Sequence, residues 1–160
     1  AIRRTLHAAL IPNNGRLPRW WEAFGRNIYP DTSEILVLAD GGGSNGCRSS
    51  AWKKNIQVQL CNRYGLIVTL CHYPPYCSKY NPVERRLFSH ISMNWAGKPL
   101  KSLEVMLAYL RGTKSQAGLT VEAFLIEGEF EKREKVPKKE FDSLNVTPHK
   151  VCPEWNYTIP

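Results

Sequence analysis

Acidic residues are scarce where the chain begins. Residues 1–16 contain no Asp or Glu, and residues 1–33 only Glu22 and Asp31. No apolar run approaches the roughly 18 residues of a membrane span, and no charged-then-apolar leader opens the chain. A soluble, cytoplasmic protein without a membrane partner is therefore expected. Cysteine is present but poorly arranged for metal or disulfide work. The five (Cys47, Cys61, Cys71, Cys77, Cys152) are odd in number and include no Cys-x2-Cys pair. Cys71, His72, Cys77 and His90 lie close in sequence, but Cys71 falls inside an apolar run, so buried thiols fit better than zinc. No Ser or Cys stands in a nucleophile motif, and no repeat, low-complexity tract, helix-turn-helix or zinc-finger spacing is seen.

What is present suits one globular domain, or one domain with an appendage: 160 residues, 42% hydrophobic, with five Trp. The formal charge is +8, and it is unevenly placed. Residues 1–100 carry 13 basic and 5 acidic side chains, whereas residues 101–160 carry nine of each. An excess so confined favours a polyanionic partner, phosphate backbones first.

Periodicity divides the chain into elements. Trp20, Trp21, Phe24 and Ile28 predict a helix over 18–29 with Pro18 in its first turn. The run 35–39 reads as a buried, parallel strand that stops at Asp40 and the loop Gly41-Gly42-Gly43-Ser44-Asn45-Gly46. Helical spacing over 48–64 ends at Gly65, and 66–71 is a second buried strand. After a Pro-rich loop, Asn81-Pro82 caps a helix reaching Trp95, with Val83, Leu87, Phe88, Ile91 and Trp95 on its apolar face. A further helix runs from Leu103 to about Gly112, a strand is expected over 121–126, and a charged stretch over 127–140 precedes a tail closing on Trp155-Asn156-Tyr157.

Strand, helix, strand is a βαβ unit, and parallel strands joined by a crossover end on one edge of the sheet, where ligands of open α/β sheets collect. Asp40 ends the first strand there, and Glu84 opens the helix that follows the second. Two carboxylates converging on that edge suit a hard cation such as Mg²⁺ or Mn²⁺. A loop-capping Asp and a dipole-matched helix-terminal Glu are equally open readings of the residues alone. The loop Gly41-x-Gly43-x-x-Gly46 formally matches a dinucleotide fingerprint, which keeps a nucleotide-binding α/β enzyme as one alternative and a non-catalytic DNA-binding module as another. Against the fingerprint, His72 stands where a ribose-binding acid belongs. A phosphate loop fails because Cys47-Arg48 replaces Lys-Ser/Thr.

The segment 36–46 and the run His72-Tyr73-Pro74-Pro75-Tyr76-Cys77-Ser78-Lys79-Tyr80-Asn81-Pro82-Val83-Glu84 together resemble the second and third acidic segments of DDE transposases. Residues 86–95, 118–121 and 154–159 extend the likeness to the Rhodopirellula-type DDE transposases of bacterial insertion sequences, over roughly residues 18–160. The resemblance implies an α/β, RNase H-like mixed sheet flanked by helices. Residues 18–115 would form a partial catalytic domain and 116–160 its strand and helix extension, with 1–17 atypical. It implies Asp40 and Glu84 as second and third catalytic, metal-holding acids, with Mg²⁺ or Mn²⁺ as cofactor. Transposon-end DNA is the implied partner, in a nucleoid-associated setting. Asn45, Arg48, Lys79 and Arg85 would contact DNA, and Gly41, Gly42, Gly43, His72 and Asn81 would line the site. The family's first Asp lies on an early strand, for which residues 1–16 offer no candidate. The expectation is a C-terminal part of a transposase that lacks its N-terminal strands, is inactive alone, and has an open sheet edge favouring homo-oligomers.

Overall fold

The computed structural model describes residues 16–40, 46–74, 76–81, 84–125 and 135–160. The side chains of Arg16, Asp40, Ser78, Glu84 and Arg85 lie outside that description. Two compact units are formed: one within Ala9–Tyr76 and Phe130–Pro160, the other within Ala1–Ala8 and Cys77–Glu129.

The first unit is a mixed four-stranded sheet with helices, an α/β architecture in agreement with the expected RNase H-like class. Helix α1 covers residues 16–28 and includes a wider π turn at Trp21–Gly25. Gly25 is required there, because a methyl group at this position would run into the Trp21 ring. Strand β1 is Glu34–Asp40, and α2 covers residues 50–64 with a π turn at Gln57–Cys61. Ser49 caps α2, its Oγ accepting from the Trp52 N–H at 3.2 Å, and Gly65 closes it in the left-handed region at φ 67°. Strand β2 is Ile67–Tyr73 and pairs parallel with β1, Glu34 opposite Ile67 through Asp40 opposite Tyr73. The short helix α5, Lys138–Phe141, is followed by β3 (Thr147–Pro148) and β4 (Asn156–Ile159). The strand order is β1-β2-β4-β3, so the last strand of the chain is antiparallel to both neighbours and lies inside the sheet.

Only one face of this sheet carries the core. Val68, Leu70, Tyr157 and Ile159 meet Leu17 and Trp21 of α1 and Trp52, Ile56, Leu60 and Cys61 of α2, with Ile35 and Val37 packed at the margin. The opposite parity leaves Leu36 64% and Leu38 44% exposed, and holds a polar pair in which Thr69 Oγ1 lies 3.0 Å from Thr158 Oγ1. The apolar run of β1 is thus packed on one side, not buried on both as its composition suggests. Residues 138–146 fold against α2: Lys54 pairs with Glu140 at 3.0 Å, and Gln57 Oε1 accepts the Asn145 N–H at 2.8 Å. The Cys61 thiol donates to the Ile159 carbonyl at 3.2 Å, and burial pushes it up to about 11. All five cysteines are unbridged.

The second unit is a helical hairpin. A 3₁₀ turn, Ser78–Tyr80, precedes α3, which covers residues 84–95 and opens with a π turn at Glu84–Phe88. Helix α4, Leu103–Arg111, is capped by Ser102, whose Oγ accepts the Val105 N–H at 3.3 Å. Asn94 Nδ2 ties the two together by donating to the Tyr109 carbonyl at 2.7 Å and to Thr113 Oγ1 at 3.3 Å. Ile91 is buried on α3, with Leu87, Phe88 and Trp95 half-buried. Val83 lies outside the described residues. The strand expected over 121–126 is not formed across 121–125. Thr120 instead makes an isolated bridge to Lys114, and Phe124 and Leu125 are exposed, so no strand among the described residues pairs with this stretch. No helix among the described residues is long and apolar enough to cross a membrane.

One-sided packing is tested by paired substitutions. Leu60→Ala should lower the unfolding free energy by about 2–5 kcal/mol, whereas Leu36→Thr should leave it within about 0.5 kcal/mol; urea midpoints decide both. A second expectation concerns alkali. Between 9.0 and about 11 an unfolded Cys61 ionises while the folded thiol keeps its proton, so stability should fall as pH rises through that window. Cys61→Ala should flatten the fall in pH-resolved denaturation curves.

Candidate active site at the carboxyl edge of the parallel strands

Because β1 and β2 run parallel, their carboxyl ends, Asp40 and Tyr73, reach the same edge in register. From Asp40 the chain passes through residues 41–45 and turns into α2, with the Ser49 N–H donating to the Gly46 carbonyl at 2.9 Å. Arg48 stands exposed in that turn, while Gly46 and Cys47 are buried beneath it. Gly41, Gly42, Gly43 and Asn45, expected as site-lining and DNA-contacting residues, lie outside the described residues.

Just inside the edge sits a cluster with polar tips. His72 is 6% exposed and stacks on Tyr157, centroids 5.8 Å apart at 28°. Its Nδ1 lies 2.8 Å from the Trp155 carbonyl, which also accepts the His72 backbone N–H at 3.1 Å. A carbonyl can only accept, so Nδ1 carries the proton in this contact. Lys53, in the first turn of α2, holds its Nζ 4.6 Å from the Tyr157 ring centroid and 5.6 Å from that of Phe141. Partial burial draws the ammonium below its usual range, opposed in part by Cys47. Burial pushes the Tyr157 phenol above its usual range. Trp52 acts on it in the opposite, smaller sense, yet no hydrogen bond of standard geometry joins them. The Tyr157 hydroxyl and Trp52 Nε1 are both buried without a partner among the described residues.

The sequence reading missed Lys53 and Tyr157. The signals available were a Lys four residues after the helix-capping Ser49 and the alternation of Tyr157 with Ile159. The latter is short and lies in a stretch otherwise read as a tail.

The remaining expected site residues belong to the other unit. Lys79 is exposed, with its Nζ 5.0 Å from the Tyr80 ring centroid, and Asn81 is half-buried. Glu84 and Arg85 begin α3, as expected of an acid at the head of that helix, and their side chains lie outside the description. Pro82 lies outside the described residues. Just before this segment Tyr76 adopts φ 64°, a left-handed conformation that costs a non-glycine residue about 1–2 kcal/mol. No group of three His, Cys, Asp or Glu side chains able to hold a metal ion is assembled among the described residues.

An α/β domain with an acidic strand end at its carboxyl edge, followed by a second acid opening a helix, is the class that these elements define. Compared with models of protein families, residues 15–160 match the Rhodopirellula transposase DDE domain. The chain belongs to that family and carries a transposase-type catalytic domain. No curated protein and no solved structure gave a significant match.

The His72 contacts make a prediction independent of catalysis. His72→Phe keeps a ring for Tyr157 to stack on but loses the bond to Trp155, and should destabilise by about 0.5–1.5 kcal/mol. His72→Ala should cost more. Urea denaturation of the two variants orders them, and equal midpoints would refute the clamp.

Proposed function

We propose that Asp40 and Glu84 are two of the carboxylates by which this domain carries out metal-dependent cleavage and transfer of DNA strands. The observation that carries the reading is the position of Asp40, closing β1 at the edge where β2 also ends. From there the chain leads, eleven residues after Tyr73, to Glu84 at the head of α3. Carboxylate oxygens are hard donors, so the residues suit Mg²⁺ or Mn²⁺ better than a thiophilic metal. Bound in pairs, such ions activate a water or a 3′-hydroxyl and stabilise the leaving oxygen of an in-line displacement.

The chain's own residues supply position and charge. Arg48 and Lys79, both exposed, and Asn45 and Arg85 contact DNA phosphates at transposon ends, giving salt-dependent affinity. Gly41, Gly42, Gly43 and Asn81 line the approach. His72, held by Tyr157 and Trp155, acts as the wall of the edge.

Among the described residues upstream of Asp40, no further acid reaches that edge. Upstream of Asp40 stand only Glu22, Asp31 and Glu34. Glu22 lies on α1 and accepts from Arg63 Nη2 at 3.0 Å, Asp31 sits in the turn before β1, and Glu34 starts β1, about 20 Å from Asp40 along the strand. Strand transfer by these 160 residues alone is therefore not expected. Isothermal titration with Mn²⁺ tests the metal reading: Asp40→Asn and Glu84→Gln should each weaken binding at least tenfold, and unchanged affinity in both would refute it. NAD(P) raising the melting temperature where Mn²⁺ does not would favour a nucleotide enzyme instead.

A further inference from the structure

Tyr76 and Tyr80 take no part in the packing described above. Tyr76 is 100% exposed in its left-handed conformation. A tyrosine there gains nothing from burial and forgoes the easier backbone regions, a combination typical of residues that meet a ligand. Tyr80 is 67% exposed and closes the 3₁₀ turn, its backbone N–H donating to the Cys77 carbonyl at 3.0 Å. The Lys79 ammonium over its ring sets positive charge beside an accessible aromatic surface. From Tyr76 to Arg86 the chain carries Lys79, Arg85 and Arg86 against Glu84 alone. Aromatic rings interleaved with cations are the equipment for single-stranded nucleic acid, whose bases stack while its phosphates pair with the charges.

We propose that Tyr76 and Tyr80 are, each within its own unit, base-stacking residues for unpaired DNA bases, Tyr80 with Lys79 on an adjoining phosphate. The proposal deepens the DNA-processing reading and rests on it. A base freed at a broken or frayed strand end loses its neighbour's π-face, and a tyrosine ring replaces it without regard to sequence.

Fluorescence anisotropy on the full 160-residue chain tests this with a labelled oligothymidylate, an abasic strand of equal length and charge, and a duplex. The wild type should bind thymidylate more tightly than the abasic strand. Tyr76→Ala and Tyr80→Ala should each weaken thymidylate binding about 5- to 100-fold and leave abasic binding unchanged. Tyr76→Phe and Tyr80→Phe should retain the preference. Equal wild-type affinity for the two strands, or alanine variants that keep the preference, overturns base stacking. If salt-dependent duplex binding survives such a result, the DNA reading stands and only the stacking falls. If no DNA binds at any salt concentration, both fall together.

Discussion

The parallel pairing of β1 with β2 is the constraint on which the rest depends. Parallel neighbours need a crossover, and α2 supplies one of matching length. Its 15 residues rise about 22 Å, and the seven-residue strands extend about 23 Å, so the helix returns the chain from the carboxyl edge to the amino end of β2. Ser49 and Gly65 set its two ends, one by a side-chain cap and one by a left-handed residue. The register that results puts Ile35, Val37 and Ala39 in line with Val68, Leu70 and His72, the face that α2 covers. A slip of one residue would turn Leu36 and Leu38 into the core and move Asp40 out of register with Tyr73.

The second dependence runs through the end of the chain. β4 inserts between β2 and β3, so Tyr157 and Ile159 complete a core begun by Leu17 and Trp21. Tyr157 also links that core to the candidate edge. One ring meets His72 on the strand that ends there and Lys53 on the helix that begins there. The cation over the ring and the hydroxyl, which has no partner among the described residues, are both costly to bury. Their retention just below the edge fits a place where precise position matters more than stability.

Much of this was legible in the residues because local chemistry decided it. Pro18, Gly65 and Gly97 punctuate helices whose spacing is plain, and the strand run stops where Asp40 interrupts it. Other features depended on distant partners. Leu36 and Leu38 look no different from Val37 in sequence. Which of them is packed follows from the face that α2 chooses. The Asn156–Ile159 strand is short and mixed, and it acquires strand character from pairing with β3 and with β2, the latter 89 residues away at the Thr69–Thr158 contact. Conversely, the apolar run from Val121 has the composition of a strand, yet across 121–125 no strand is formed. The strand end at Asp40 and the helix start at Glu84 were legible from punctuation, whereas the contact of Lys53 with the Tyr157 ring joins residues far apart in sequence.

Charge shows the same difference between counting and placing. The surplus of residues 1–100 overstates what a polyanion would meet. Lys54 is paired with Glu140, Arg63 with Glu22, and Lys53 lies half-buried among aromatic rings. Exposed pairs such as Arg63–Glu22 add little stability, but they cancel each other's field at a distance. Among the described side chains, those displayed near the acidic segments in sequence are Arg48, Lys79 and Arg86. In the chain Arg48 comes eight residues after Asp40, and Lys79 and Arg86 flank Glu84. On the proposed function, attraction of a phosphate backbone and anchoring of a cation would fall to the same two short segments of sequence.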